Sequence, residues 1–271
     1  LAVHSGGEIH REKGNANALA GRLLQTVHAV TDAGICGVEG GLADNAISRE
    51  CTLQLVVSEK EEEFEQAVRR LEKVLQSELS TKDPGVKVEM TRGDAVRTRC
   101  VDSVSEERIR KLLLIMPNGV QAMSADMPGL VQTSLNNGIM KLGEKEFTVI
   151  TSVRSSVASD KEALITRISA LTDTLGGSVN VTGEYPGWTY KKESALRDLC
   201  VKVYEKMYGK KPVIQAIHAG LECGILLEKR PDLDCISLGP DMKDIHTTEE
   251  KLSISSAGRV FEYVCAVLAE K

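Results

Sequence analysis

Leu19, Leu23, Leu24 and Val27 recur at the spacing of one helix face, which predicts a helix over residues 14–29. The stretches "ICGVEGGL" and "CTLQLVVSE" then read as strands, separated by the turn-rich "ADNAISRE". From 61 to 79 the stripe Phe64, Val68, Leu71, Val74 and Leu75 predicts an amphipathic helix, and its acidic first turn suits a helix N-terminus. "DPG" at 83–85 is a turn, and "VKVEMTR" alternates like a strand.

A second round follows the same order. Residues 105–116 read as a helix with an imperfect capping box at Ser105. "GLVQTSLNNGIMKLGEKEFTVITSVRSS" holds two or three strands with a hairpin turn at "LGEKEF". Residues 160–175 are helical, and "SVNVTGEYPGW" is expected to close the round as a strand. Helix, strands, helix, strand occurring twice predicts two ferredoxin-like α+β units side by side. The Pro and Gly of "GEYPGW" mark a boundary, beyond which the grammar changes. A helix over 194–208, a strand at "PVIQAIHA", a short helix from "GLECGILLEKR", a strand at "LDCISLGP" and a serine-capped closing helix read as a doubly wound α/β sheet. Two strands are few for such a sheet, so its other half is expected from elsewhere. The fold expected is thus α/β with α+β: residues 1–184 as two ferredoxin-like units, and 185–271 as part of a doubly wound domain.

Composition narrows the classes. A net charge of -5 and 3% aromatic residues argue against a dedicated nucleic-acid or membrane surface, and leave little to stack bases on. No apolar run approaches the roughly 18 residues of a membrane span. Seven widely spaced cysteines without a C-x-x-C favour reduced, mostly buried thiols and a cytoplasmic home over a disulfide framework. The opening "LAVHSGGEIH" has no initiator methionine and begins as though within a strand, which predicts a piece of a longer polypeptide.

Candidate chemistry is scattered. His246 stands among Asp241, Asp244, Glu249 and Glu250 after an apolar run and a "GP" turn, where strand ends carry ligands in open α/β sheets. It reads as a zinc ligand with a neighbouring carboxylate to orient it, or as a solvated loop histidine; one histidine is not a site, because zinc takes three or four ligands. In "AIHAGLECGI", His218 ends a strand, Gly220 allows close backbone approach and Glu222 opens a helix; a simple packing turn is the competing reading. "HSGGEIH" sets His4 and His10 around two glycines, an anion-binding backbone or a plain turn. Asn136 and Arg154 fall on adjacent predicted strands, where an amide orients a carbonyl and a guanidinium holds a carboxylate, unless both are polar strand residues. No G-x-S-x-G, P-loop or strand-end G-x-G-x-x-G is present, which weakens serine hydrolase, NTPase and dinucleotide readings.

Taken together and in order, "HSGGEIHREKGNANALAGRLL", "MPNGVQAMS", "GLVQTSLNNG", "GEYPGW", "AIHAGLECGI" and "SLGPDMKDIHTTEEKLSISS" resemble the aminoacyl-histidine (Xaa-His) dipeptidases, zinc metallopeptidases related to carnosinase and carboxypeptidase G. The resemblance implies a zinc-bearing catalytic domain interrupted by a lid, with residues 1–184 as lid and 185–271 as the returning catalytic segment. It implies hydrolysis of dipeptides such as β-alanyl-histidine by water activated on two zinc ions. The exposed edge and apolar face of the partial sheet in 185–271 point to a homodimer. His246 then matches a zinc ligand, and His4 the lid histidine beside the scissile carbonyl. Asn136 and Arg154 match substrate-holding lid residues, and Gly220 and Glu222 the pocket loop. Asn137 departs from the leucine more usual in related sequences. The remaining zinc ligands and the general base belong to a catalytic half that the chain does not contain, so the chain alone is expected to be inactive. A related metallo-aminoacylase or carboxypeptidase, or a non-catalytic oligomerisation module, are the alternatives.

Overall fold

The computed structural model describes residues 8–93, 99–216, 222–243 and 249–270. The chain divides into two compact units, the first running to Glu184 and the second starting at Tyr185.

In the first unit, helix α1 (Ala16–His28) starts where the Asn15 side chain accepts the N–H groups of Asn17 and Ala18 at 3.0 and 3.2 Å. Strands β1 (Ala33–Gly40) and β2 (Cys51–Val57) pair antiparallel. Helix α2 (Glu61–Glu78) follows, buried through Ala67, Val68, Leu71 and Leu75. Val74, expected in that stripe, is 45% exposed, and Ala67 takes the inner position instead. Helix α3 (Ser103–Ile115) begins two residues earlier than the sequence suggested: Asp102, not Ser105, is the cap and accepts from the N–H of Val104 and Ser105. Then come β3 (Gly119–Met123), β4 (Val131–Leu142), β5 (Phe147–Ser155) and helix α4 (Ala158–Thr174).

The α+β composition holds, and both rounds share one five-stranded antiparallel sheet. Strand β4 joins them. Along one side it pairs with β5 from Thr133 to Leu142. Along the other it meets β3 near its start and β1 at Met140 and Lys141. One core holds Leu24 of α1, Ile35 and Val38 of β1, Leu113 of α3 and Met140 of β4. The α1–α3 crossing is close: a Cβ on Gly21 would lie 2.6 Å from the Leu113 carbonyl oxygen. Leu135 of β4 packs on Leu164 and Ile168 of α4.

Two expected strands are irregular. Within 86–92, Val86 and Val88 are half-buried and residues 89–92 are exposed, and side chains of α2 hold the backbone: Val88 N–H donates to Glu72 Oε1 at 3.0 Å, and Gln76 Nε2 donates to Val86 O at 3.2 Å. Residues 178–188 form no ladder, and Val179 and Val181 are exposed. Alternation marks a half-buried face, but a strand also needs a backbone partner. Strand β3, hidden in "GVQAM", was missed because it is short and weakly patterned.

The second unit packs helix α5 (Ala195–Tyr208) against α7 (Ile254–Ala269) through Cys200, Val203 and Tyr263. Tyr263 donates its hydroxyl to Cys200 O at 2.7 Å, and burial pushes its pKa up. Ser194 and Ser253 cap the two helices. Helix α6 (Glu222–Lys229) and a two-residue pair, β6 (Met242–Lys243) with β7 (Lys251–Leu252), complete it. The strands expected within 212–219 and 233–240 are not formed among the described residues: 212–216 and 233–240 have no ladder partner, and Val213 is 83% exposed.

The cysteine expectation is also corrected. Cys36 and Cys100 are joined as a disulfide, and Cys265 is exposed. Spacing could not show this, because the two are 64 residues apart and meet only where the segment before α3 lies against β1.

Candidate functional site

The first unit brings five asparagines together. Asn15 caps α1 with its oxygen and spends its Nδ2 on three acceptors: Asn118 Oδ1 at 3.2 Å, Asn136 Oδ1 at 3.1 Å and Asn137 O at 3.1 Å. Asn17 Nδ2 donates to Asn137 O at 3.1 Å and Gly138 O at 3.3 Å, while Ser48 Oγ donates to Asn17 Oδ1. Asn136 Nδ2 donates to Asp44 O at 2.9 Å and Ala46 O at 2.8 Å. Both of its N–H groups are therefore used by the wall of the site, and its Oδ1 keeps a second lone pair.

Register places Arg154 beside this cluster. Ser134 faces Arg154 and Asn136 faces Ser152. Opposite residues share a face, as do residues two apart. Asn136 and Arg154 are thus diagonal neighbours on one face, while Leu135 points to the other, under α4. Arg154 Nε is buried without a hydrogen-bond partner, a charged donor with an interaction still to make.

A cavity of about 200 Å³ opens against the cluster, lined among others by Lys13, Asn15, Ile47, Asn118 and Asn136. Glu12 also lines it, so one ammonium, one carboxylate and several amides face the cavity, a polar lining that suits the peptide groups of a ligand. The sequence signals for the added residues were the "GNAN" before α1 and the "PNG" before β3; nothing local showed that they converge on β4.

Other candidates lie elsewhere. His4, Gly220 and His246, with His218 and Asp244, fall outside the described residues. Glu222 opens α6 in the second unit. Asp241 faces Arg259 at 3.6 Å, and its N–H donates to Ser256 Oγ. His10 sits in a short 3-10 turn, Ile9–Arg11. Among the described residues, no three His, Cys, Asp or Glu side chains converge to hold a metal, so these residues by themselves do not fit zinc. No helix among them is long and apolar enough to cross a membrane.

Residues 1–83 match the family model of the peptidase dimerisation domain. The whole chain goes further. Over 270 residues it is 31% identical to the cytosol non-specific dipeptidase of Escherichia coli (strain K12), covering 98% of this chain and 55% of that protein. The crystal structure of aminoacylhistidine dipeptidase from Vibrio alginolyticus matches with a TM-score of 0.86 at 30% identity, again over 98% of this chain and 55% of the other. The resemblance carried by the motifs is thereby shown in sequence and in fold, and the chain spans about 55% of the length of both dipeptidases.

Proposed function

We propose that this chain supplies the substrate-holding lid (1–184) and the returning catalytic segment (185–271) of a zinc-dependent dipeptidase that cleaves Xaa-His dipeptides such as β-alanyl-histidine. The observation that carries the reading is that Asn136, which lines a polar cavity, and Arg154 are diagonal neighbours on one face of β4 and β5, in a chain similar along its length to two dipeptidases. Arg154 takes the substrate carboxylate in a bidentate contact. Asn136, held by three partners, offers its spare lone pair to the substrate amide. By the resemblance, Gly220 and Glu222 belong to the pocket loop of the catalytic segment, and His4 would donate to the oxygen on which charge develops. His246 is one metal ligand, and the others lie in sequence outside this chain. Zinc, once bound in the complete protein, would lower the pKa of its water and polarise the scissile carbonyl. The match of residues 1–83 to a dimerisation domain supports a homodimer, and the named location of one relative supports a cytoplasmic setting.

The test is hydrolysis by the complete polypeptide. Cleavage of β-alanyl-histidine, with N-acyl amino acids left intact, upholds the reading. The reverse preference moves the protein to the related deacylases. His4→Ala is expected to lower kcat far more than it raises KM. Zinc measured by mass spectrometry should fall in His246→Ala of the complete polypeptide.

A further inference from the structure

We propose that Cys36 and Cys100 form a reversible disulfide clasp over the open edge of β1, which a dithiol reductant releases. Strand β1 pairs with β2 along its whole length on one side. On its other side β4 reaches only Glu39 and Gly40. The backbone from Ala33 to Val38 would therefore present an open edge, the kind that recruits foreign strands. Residues just before α3 cover it. Val101 N–H donates to Ile35 O at 2.9 Å, and Val101 packs on the core beneath. One residue along on each segment, Cys36 and Cys100 are bonded, at the point where the β1–β2 register shifts between Ile35 and Gly37. Gly34 makes the room: a Cβ there would lie 3.1 Å from Cys100 Sγ.

The clasp ties two different parts of the unit. Cys36 lies within the stretch that matches the dimerisation domain, residues 1–83, and Cys100 lies beyond it. Cys100 is exposed, so an external thiolate can reach it. Attack of one reductant thiolate on Cys100 Sγ breaks the Sγ–Sγ bond, forms a mixed disulfide and releases Cys36 as thiolate. The second reductant thiol then closes on its partner sulfur and frees Cys100. Two electrons pass from the dithiol, which leaves as a cyclic disulfide. With the bond gone, the Val101–Ile35 hydrogen bond and the packing of Val101 are the contacts that hold residues 99–101 on β1 among the described residues. The inference does not depend on the dipeptidase reading.

The experiment uses the chain as isolated, with free thiols alkylated at harvest. Digestion without reductant should recover one cross-linked peptide containing Cys36 and Cys100. Dithiothreitol under native conditions should then make the two equally reactive, leaving the weakly acidic Cys51 as the internal comparison. Amide exchange over 33–38 and 99–101 should rise at least about tenfold on reduction and return on reoxidation. The Cys36→Ser/Cys100→Ser variant should exchange at the reduced rate throughout. If that variant fails to fold, the wild-type protein with and without dithiothreitol decides. Absence of the cross-linked peptide, a bond that native dithiothreitol leaves closed, or exchange unchanged by reduction each overturn the proposal.

Discussion

Asn15 and Asn136 are 121 residues apart and hydrogen-bonded side chain to side chain at 3.1 Å. The contact fastens the start of α1 to the middle of β4, and both residues are buried. Asn15→Ala removes a helix cap, worth about 1 kcal/mol. It also leaves the buried Asn136 Oδ1 without its donor, at roughly 1–3 kcal/mol, whereas Asn118 Oδ1 keeps the Asn137 N–H and Asn137 O keeps Asn17 Nδ2. A loss of about 2–4 kcal/mol is expected in urea unfolding of the chain; a loss below about 0.5 kcal/mol would show that the cluster is ornamental to stability.

Asn137 is the complementary case. It is buried, its Nδ2 donates to Pro117 O at 3.2 Å, and its Oδ1 has no partner. Burying an unpaired amide oxygen costs about 1–3 kcal/mol, more than the one neutral hydrogen bond returns. Asn137→Leu, with the same branching, exchanges the unpaired Oδ1 for an unpaired Pro117 O and adds buried apolar surface, and should raise stability by about 1 kcal/mol. Thermal melts of the two proteins side by side check it, and a lower midpoint for the leucine variant would refute it.

Gly138 lies where β4 passes under the 42–50 loop. A Cβ there would come 2.4 Å from the Asp44 carbonyl oxygen, which is backbone and cannot turn aside. Gly138→Ala should push the loop off the strand and break the Asn136–Asp44 and Asn136–Ala46 bonds together. Faster amide exchange confined to residues 42–50 and 136–138 is the expected signature.

Asp234 sets a pH response in the second unit. Its carboxylate accepts the Leu196 N–H at 3.0 Å and the Ser194 hydroxyl at 2.8 Å. The Leu196 N–H first, then the Ser194 hydroxyl and nearby cations, hold its pKa below the usual carboxylate value. A group depressed on folding stabilises above its unfolded pKa and loses that contribution as pH falls through the folded one. Asp234→Asn should therefore melt earlier than wild type at pH 7, with the difference closing below about pH 4. Trp188, the single tryptophan, lies in the second unit and gives the fluorescence readout. A difference that stays constant down to pH 2 would remove Asp234 from the account.

For activity, Arg154→Lys and Arg154→Ala in the complete polypeptide separate charge from geometry. A bidentate carboxylate contact predicts that both raise KM, alanine by about 100-fold and lysine by about 10-fold. Equal KM in all three would leave Arg154 as a structural residue of β5.

Much of this was legible before any coordinates. Helices announced themselves because their signals are local: the stripe of α2, the serine cap of α7, the acid-rich first turn after Lys60. Strands were less reliable, since their existence depends on a partner that the sequence does not display. "VKVEMTR" and "SVNVTGEYPGW" have strand patterns and no ladder, while "GVQAM" has a faint pattern and a partner in β4. The site shows the same division. Asn136 and Arg154 were legible as polar residues on neighbouring strands. Asn15, Asn17 and Asn118 were not, because what recruits them is the long-range fold rather than spacing.

Strand β4 also governs how the first unit reaches its structure. Gly40 meets Met140 across one hundred residues, and the β1–β4 contact is the sheet's only direct seam between the two rounds among the described residues. Hairpins β1–β2 and β4–β5 close over short loops, whereas this seam must wait for a long one. The first 83 residues can collapse early, yet they cannot acquire their final core until the ribosome has released β4, whose Met140 fills its centre. During synthesis about sixty further residues must therefore be made, at about 5–20 residues per second, before Glu39 and Gly40 of β1 gain their partner in β4.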